Sequence, residues 1–293
     1  MKPPRFSYAD PATVEEAVGL LARHGDGAKV LAGGQSLMPL LNFRLARPSH
    51  VIDINRLAAL ATVDGTPDGG LHIGALVRQR ALERSDLVRA RCPLLAQAMP
   101  FVGHAQIRTR GTLGGSLAHA DPAAELPAVM VALGAQLTLR SIRGQRTVAA
   151  EEFFVDALTT AAGPDELLTE IALPPWPPSS GSSLHEVAVR RGDFALGGVV
   201  ARLTLGDQGR VTGARVVCFA MGPRPVRATD AERALVGRAP FPSAFTEAGR
   251  LASAGVDPSG DIHASAAYRK RLAGVLTTRA LTSALAAVAE RAA

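Results

Sequence analysis

Two glycine-centred loops hold the residue types best suited to chemistry: Ala32-Gly33-Gly34-Gln35-Ser36-Leu37 and Arg110-Gly111-Thr112-Leu113-Gly114-Gly115-Ser116-Leu117-Ala118. Without a Cβ, a Gly-Gly pair lets the backbone take positive φ and approach a ligand closely. Successive N–H groups can then converge on an anion and bind phosphate without a lysine, and Ser36 adds a hydroxyl donor. The first loop follows Lys29-Val30-Leu31-Ala32, which reads as a short buried strand. That order suits a pyrophosphate, although a tight turn fits the same residues. The second loop repeats the chemistry, and two such loops can close on one extended ligand. Behind it comes His119-Ala120-Asp121-Pro122-Ala123-Ala124-Glu125. Asp121 and Glu125, one helical turn apart, can accept hydrogen bonds from ribose or ribityl hydroxyls; carboxylates at a helix start are also favoured by the macrodipole alone. His119 fits a structural slot better than a catalytic one.

Other motifs are missing. No G-x-x-x-x-G-K-[ST] occurs, so there is no P-loop. Gly25-Asp26-Gly27 precedes its strand and lacks a third glycine, which disfavours a Rossmann site. Neither G-x-S-x-G nor H-E-x-x-H is present, so hydrolase readings lack an anchor, and no catalytic acid or base and no metal ligand is expected. Cys92 and Cys218 are the two cysteines. They cannot build a disulfide framework, a four-cysteine zinc site or an iron–sulfur cluster, and each reads as a small buried apolar residue. The net charge of +6 comes from scattered arginines, with aromatics at 4%. A nucleic-acid surface would cluster the one and interleave the other, so no nucleic acid is expected; the excess suits solubility or an acidic partner.

The elements around the loops can be read in outline. Thr13-Val14-Glu15-Glu16 fits a capping box, and the helix it opens buries Ala17, Leu20 and Leu21 before stopping near Gly25. A second strand at Val51-Ile52-Asp53-Ile54 makes a strand–crossover–strand unit, which predicts parallel pairing. From about residue 56 the pattern changes. Strands read at Leu71 to Ala75 and, closing the unit, Leu168 to Leu173; a helix reads at Leu94 to Met99, and a hairpin turns around Arg143-Gly144. Pro174-Pro175-Trp176-Pro177-Pro178-Ser179-Ser180-Gly181-Ser182-Ser183 can form neither a helix nor a central strand and marks the clearest boundary. Beyond it, two or three strands around Val187, Val200 and Val216 precede alanine- and leucine-rich helices. With 293 residues, about two domains are expected. No run of about 20 apolar residues suggests a transmembrane segment. The N-terminus lacks the apolar core of a signal peptide. A cytoplasmic protein is expected, peripheral at the inner membrane face only through its complex.

At these loops the sequence resembles a known family, the FAD-binding medium subunit of molybdenum hydroxylases, typified by aerobic carbon monoxide dehydrogenase and including the flavin domain of xanthine dehydrogenase. The resemblance runs through Pro4 to Tyr8, the first loop, the long block Ile107 to Glu125, Arg190-Arg191-Gly192-Asp193-Phe194-Ala195, Gly222 to Arg227 and Tyr268 to Ala273, almost the whole chain. It implies an α+β fold: a vanillyl-alcohol-oxidase-type FAD-binding domain over 1–176, with a small α/β subdomain (1–55) and a larger one (56–176). A linker at 177–183 then leads to a C-terminal domain over 184–293, with a three-stranded antiparallel sheet and helices. FAD would lie between the subdomains. By the same resemblance Lys29, Val30, Leu31, Ala32, Gly33, Gly34, Gln35, Ser36 and Leu37 would line the diphosphate and ribityl region. Thr112, Leu113, Gly114, Gly115, Ser116 and Ala118 would cradle the flavin and its chain, with Asp121 and Glu125 directed at the cofactor. Leu168, or Leu167, would cover the adenine or ring edge, and Phe194 would lie near the isoalloxazine.

The resemblance also implies partners. The molybdenum cofactor belongs to a large molybdopterin subunit and two [2Fe–2S] clusters to a small subunit, in a dimer of heterotrimers. FAD on this chain would pass electrons to quinone, NAD or oxygen. Two cysteines cannot ligate those clusters, which agrees with that division. Two departures stand out: Gln35 where the carbon monoxide enzyme's loop typically has histidine, and Glu186 where some relatives place a lysine. The competing readings are a stand-alone FAD-dependent oxidase or dehydrogenase of the same fold and a non-catalytic nucleotide-binding module.

Overall fold

Three short strands build the first unit of the computed structural model, which describes residues 2–292. The outermost residues of the expected domains, 1 and 293, lie outside it. β1 (Ser7–Ala9), β2 (Ala28–Leu31) and β3 (His50–Asp53) pair in parallel in the order β1-β3-β2, as the crossover pattern predicts. Helix α1 (Val14–His24) makes the crossover. The Thr13 hydroxyl accepts from the Glu16 N–H at 3.1 Å, while the Glu16 carboxylate takes the Ala12 N–H at 2.7 Å. The reciprocal bond thus falls one residue earlier than in the usual capping box. Val14, Ala17, Val18 and Leu21 form the buried face, and Leu20, expected inside, is only half-buried. Burying Leu21 fully contributes roughly 1.5–3 kcal/mol. After the first loop, α2 (Leu37–Asn42) leads towards β3.

The second unit is an antiparallel sheet of β4 (Val63–Gly65), β5 (Leu71–Gly74), β6 (Gln136–Ser141), β7 (Gly144–Ala149) and β10 (Leu167–Leu173), in the order β4-β5-β10-β6-β7. The strand expected to close this unit is therefore its middle, with Ile171 fully buried between Ile73 and Leu137. Between β5 and β6 run six helices: α3 (Gln79–Arg84), α4 (Asp86–Arg91), α5 (Pro93–Ala98), α6 (Ala105–Arg110), α7 (Leu113–His119) and α8 (Glu125–Leu133). Every residue of α8 is buried, so it is a core helix and not an amphipathic surface one. A small excursion, α9 (Ala150–Phe153), β8 (Phe154–Asp156) and β9 (Thr159–Thr160), precedes β10.

The third unit is a sheet of β11 (Ser180–Ala188), β12 (Ala195–Leu205), β13 (Val211–Phe219) and β14 (Val226–Arg227), with α10 (Thr229–Leu235), α11 (Pro242–Gly255) and α12 (Ala266–Ala292). It has a two-residue fourth strand beyond the three expected. β11 starts at Ser180, inside the stretch read as linker up to 183. Its serines and glycine suit an edge strand: a Cβ at Gly181 would collide with Ala284 O of α12, so glycine lets the helix lie close. By length and composition α12 could cross a membrane, yet Leu272, Leu276, Ala280 and Leu281 sit in the core of this unit.

Alternation along β11 sets its two faces. Ser183 bonds Ala280 O at 2.7 Å and His185 meets Ser283 at 3.0 Å, both on α12. Ser182 meets Gln97 of α5 at 3.0 Å on the other side. There Leu184, Val200, Val217 and Phe219 join the same core as Leu94, Val129 and Leu137. The proline-rich stretch divides the chain but not the core.

Candidate cofactor site

At the end of β2 the chain turns through Ala32-Gly33-Gly34, with Gly34 at φ +74°. A Cβ on Gly33 would stand 2.5 Å from Arg110 O and 2.8 Å from Gly111 Cα, so the two glycine loops touch backbone to backbone. Among the described residues, the N–H groups of Gly33, Gly34, Gln35 and Ser36 have no acceptor within the chain. Gln35 folds back, its Nε2 donating to Gly33 O at 3.1 Å. Four consecutive free amides at a helix start make an anion cradle.

The second loop is built differently. Leu113 N–H donates to Val77 O at 3.0 Å and Gly114 N–H to Ala75 O at 2.9 Å. Gly115 N–H donates to Thr112 Oγ1 at 3.0 Å, which makes Thr112 the N-cap of α7. Its amides are engaged, and the expected second nest is corrected to a docked helix cap. The glycines serve packing: a Cβ would meet Ala75 Cβ at 2.5 Å from Gly114 and Thr112 Oγ1 at 2.7 Å from Gly115. Leu113 is fully buried, whereas Ser116 is half-buried and Ala118 exposed.

A polar link that sequence reasoning passed over ties β3 to both loops. Asn55 Nδ2 donates to Ala32 O at 2.8 Å and to Asp53 Oδ1 at 2.6 Å. Arg78 donates one arm to Asn55 Oδ1 at 2.6 Å and the other to Arg110 O. Tyr8 donates to Asp53 Oδ2 at 2.8 Å. Burial works to raise the Asp53 pKa, but hydrogen bonds from Asn55 and Tyr8 and the charge of Arg110 hold it below the usual carboxylate value. Burial first, then Arg110, lowers the Arg78 pKa. Two crowded cations beside four free amides favour an anion. Arg110 lay inside the second motif; Asn55 and Arg78 lie outside both loops and carried no motif signal.

The remaining expected residues divide into two groups. Ala120 ends α7 at φ +50°, and Asp121 Oδ1 accepts the Ala123 N–H at 2.8 Å in the following turn. Asp121 is thus not one turn before Glu125 on a helix; Glu125 is itself the first residue of α8. The Glu125 side chain is buried, and burial followed by the charge of Asp121 pushes its pKa up to about 7. Phe194 is 71% exposed at the β11–β12 turn, whose Gly192 (φ +89°) packs on His104 just ahead of α6. Lys29 is exposed; Val30, Leu31, Ala32 and Leu37 are half-buried. Leu168, 6% exposed, packs in the main core.

Comparison with known proteins covers the whole arrangement. Residues 4–176 match the FAD binding domain in molybdopterin dehydrogenase, and residues 182–284 match the CO dehydrogenase flavoprotein C-terminal domain. The chain is 41% identical to the 6-hydroxypseudooxynicotine dehydrogenase complex subunit alpha of Paenarthrobacter nicotinovorans, over 97% of this chain and 96% of that one. It is 40% identical to the caffeine dehydrogenase subunit beta of Pseudomonas sp. (strain CBB1), with the same coverage. Among solved structures it is similar to carbon monoxide dehydrogenase from Hydrogenophaga pseudoflava lacking the Mo-pyranopterin moiety of the molybdenum cofactor. There the TM-score is 0.95 and the identity 37%, covering 98% of this chain and 99% of that one.

Proposed function

This chain belongs to the family of FAD-binding subunits of molybdopterin dehydrogenases, and we propose that it holds FAD along the groove formed by its first loop, α7 and the β11–β12 turn. The observation that carries this reading is the row of free amides from Gly33 to Ser36 beside Arg78 and Arg110. A diphosphate needs such a cradle. Ser36 and Ser116 add hydroxyl donors, Asp121 and Glu125 accept from the cofactor's hydroxyls, and Phe194 covers the ring. Bound FAD supplies the electron-accepting chemistry, while the protein binds, orients and shields it.

In this reading the electrons come from [2Fe–2S] clusters on a small partner subunit, fed by a molybdenum centre on a large one, and leave to quinone, NAD or oxygen. Both thiols here are buried and far from forming a cluster site, so the clusters belong to another chain. A dimer of heterotrimers on the cytoplasmic side, meeting the inner membrane face only through the complex, completes the proposal. The two relatives above are named for N-heterocyclic compounds, and with Gln35 in the first loop this favours an N-heterocycle over carbon monoxide as the assembly's substrate. The full chain, purified with and without its partner subunits, tests the reading. It should bind FAD at unit stoichiometry alone and show substrate-driven flavin bleaching only with partners. A chain that takes up no flavin overturns the site, and bleaching without partners overturns the subunit role.

A further inference from the structure

Phe43 is 65% exposed, Leu45 76% and Met38 37%, and Pro39 beside Met38 is exposed as well. Among the described residues, no other stretch of eight exposes three large apolar side chains. A single exposed leucine needs no explanation, but a group of this density leaves apolar surface in water that a partner can cover.

The group is fixed to the first loop. Met38 N–H donates to Gly34 O at 3.1 Å and Leu40 N–H to Ser36 O at 3.2 Å, so α2 grows directly from the row of free amides. Met38 leans over Gly34, where a Cβ would stand 3.3 Å from its Cγ. Seven residues at 1.5 Å each carry the helix axis about 10 Å from Ser36 to Phe43. The far end is bonded shut. Arg44 N–H donates to Leu41 O at 3.0 Å and Leu45 N–H to Leu40 O at 2.9 Å, the paired bonds of a Schellman closure. Such a closure needs a left-handed residue, most often glycine; here it is Arg44 at φ +59°. The apolar residue that follows often packs back on its helix, yet Leu45 stands in solvent. Phe43 and Leu45 are therefore presented on a closed turn held at some cost in backbone strain.

The rim is basic. Ser7 N–H donates to Ser49 O at 2.8 Å, which lays the N-terminal segment beside the chain leaving α2, and Arg44 Nε reaches Lys2 O at 3.5 Å. From Lys2 to Ala9 and from Gly27 to Ile52 the sequence carries Lys2, Arg5, Lys29, Arg44 and Arg47 and no carboxylate. All five are exposed, and among the described residues Arg44 and Arg47 bond only main-chain oxygens. An apolar centre edged by cations matches a protein face with an apolar hollow and a rim of carboxylates. A six-residue helix gives a bilayer little apolar face to hold, which favours a protein.

Electron transfer weakens steeply with distance, so a donor subunit must seat against the surface next to the cofactor. We propose that Met38, Phe43 and Leu45, rimmed by Arg5, Arg44 and Arg47, form the docking face for the electron-donating iron–sulfur subunit. Phe43 and Leu45 enter an apolar hollow on that subunit, and carboxylates around the hollow meet the arginines. The proposal rests on the reading that the first loop holds FAD and that its electrons come from another chain.

The test uses the full chain co-expressed with its partner subunits, as wild type, Phe43→Glu/Leu45→Glu and Arg5→Glu/Arg47→Glu, and with photo-crosslinking benzoylphenylalanine at position 43. Cluster iron retained per chain should fall at least about tenfold in the apolar double variant, as for buried anchors of an interface. The arginine double variant should lose the salt sensitivity that wild-type assembly shows. Flavin titration and circular dichroism of each purified variant should match wild type, because none of these side chains forms the cradle. Illumination should join position 43 to the iron–sulfur subunit. A cross-link to the large subunit, to a second copy of this chain or to nothing overturns the proposal, as does full iron retention in the apolar variant. Vesicles of phosphatidylserine and phosphatidylcholine that bind wild type but not an apolar variant still holding its iron would assign the face to a membrane instead. If wild type assembles but takes up no FAD, the groove reading falls, while the cross-link still decides the docking face.

Discussion

Gly33 and Arg110 meet backbone to backbone: a Cβ on Gly33 would stand 2.5 Å from Arg110 O. That contact holds the free amides of the first loop beside Arg78 and Arg110, and alanine at position 33 must push the loops apart. Gly33→Ala should weaken FAD binding at least about tenfold, equal to about 1.4 kcal/mol, with the far-ultraviolet circular dichroism unchanged. Gly34→Ala adds left-handed strain of about 1–2 kcal/mol without that clash. Flavin fluorescence titration checks both, and wild-type affinity in Gly33→Ala would show that the loop contact is irrelevant to the cofactor.

Arg78 bridges Asn55 and Arg110 O with separate arms of one guanidinium. Lysine keeps the charge and loses the planar fork. Arg78→Lys should therefore loosen both loops and weaken FAD binding about tenfold, roughly 1.4 kcal/mol. If charge alone mattered, Arg78→Lys would bind FAD normally and only Arg78→Ala would fail.

Thr112 caps α7 through Gly115 N–H. Thr112→Ala removes the cap, which costs about 1 kcal/mol and should lower Tm by about 2–4 °C for a chain of this size. Thr112→Ser keeps the hydroxyl and should restore Tm. Differential scanning calorimetry separates the two. Equal melting of Thr112→Ala and wild type would mean that the cap contributes nothing to folding.

These variants follow where the sequence was legible and where it was not. The parallel first unit could be read because β2 and β3 are short apolar runs flanking a capped helix. The loops could be read because paired glycines have few other uses. The six-residue helices α3, α4 and α6 were missed, since fewer than two turns show no clear apolar period. The start of β11 was missed because serines tolerated at a sheet edge look like linker. At the site, spacing cannot say whether an amide is free. Gly34 and Gly114 look alike in sequence, yet Gly34 N–H is unengaged and Gly114 N–H is bonded to Ala75 O from a distant segment. Asn55 and Arg78 reach the loops only through tertiary packing.

Cys92 and Cys218 are buried, and desolvation pushes both thiols up to about 12. Neither offers a thiolate at neutral pH. The folded chain should resist a thiol-specific chromogenic reagent and react at two sites once unfolded in guanidinium. Rapid labelling of the native chain would contradict the burial and reopen the question of where cluster ligands lie.

Glu125 and Glu186 also make stability depend on pH in a defined direction. Both have folded-state pKa values raised from 4.5, to about 7 and about 8. Their protonated forms are favoured by folding, so the contribution is complete below about pH 4.5 and is lost as pH rises through 7 and 8. His24 and His185 act oppositely: burial lowers both pKa values, so the neutral rings favour folding and acid opposes it. The useful quantity is therefore the difference between wild type and Glu186→Gln. Glutamine keeps the shape and cannot ionise. The variant should gain stability relative to wild type as pH rises from 6 to 9, measured by denaturant midpoints at constant ionic strength. A constant difference across that window would mean that Glu186 is already ionised at neutral pH.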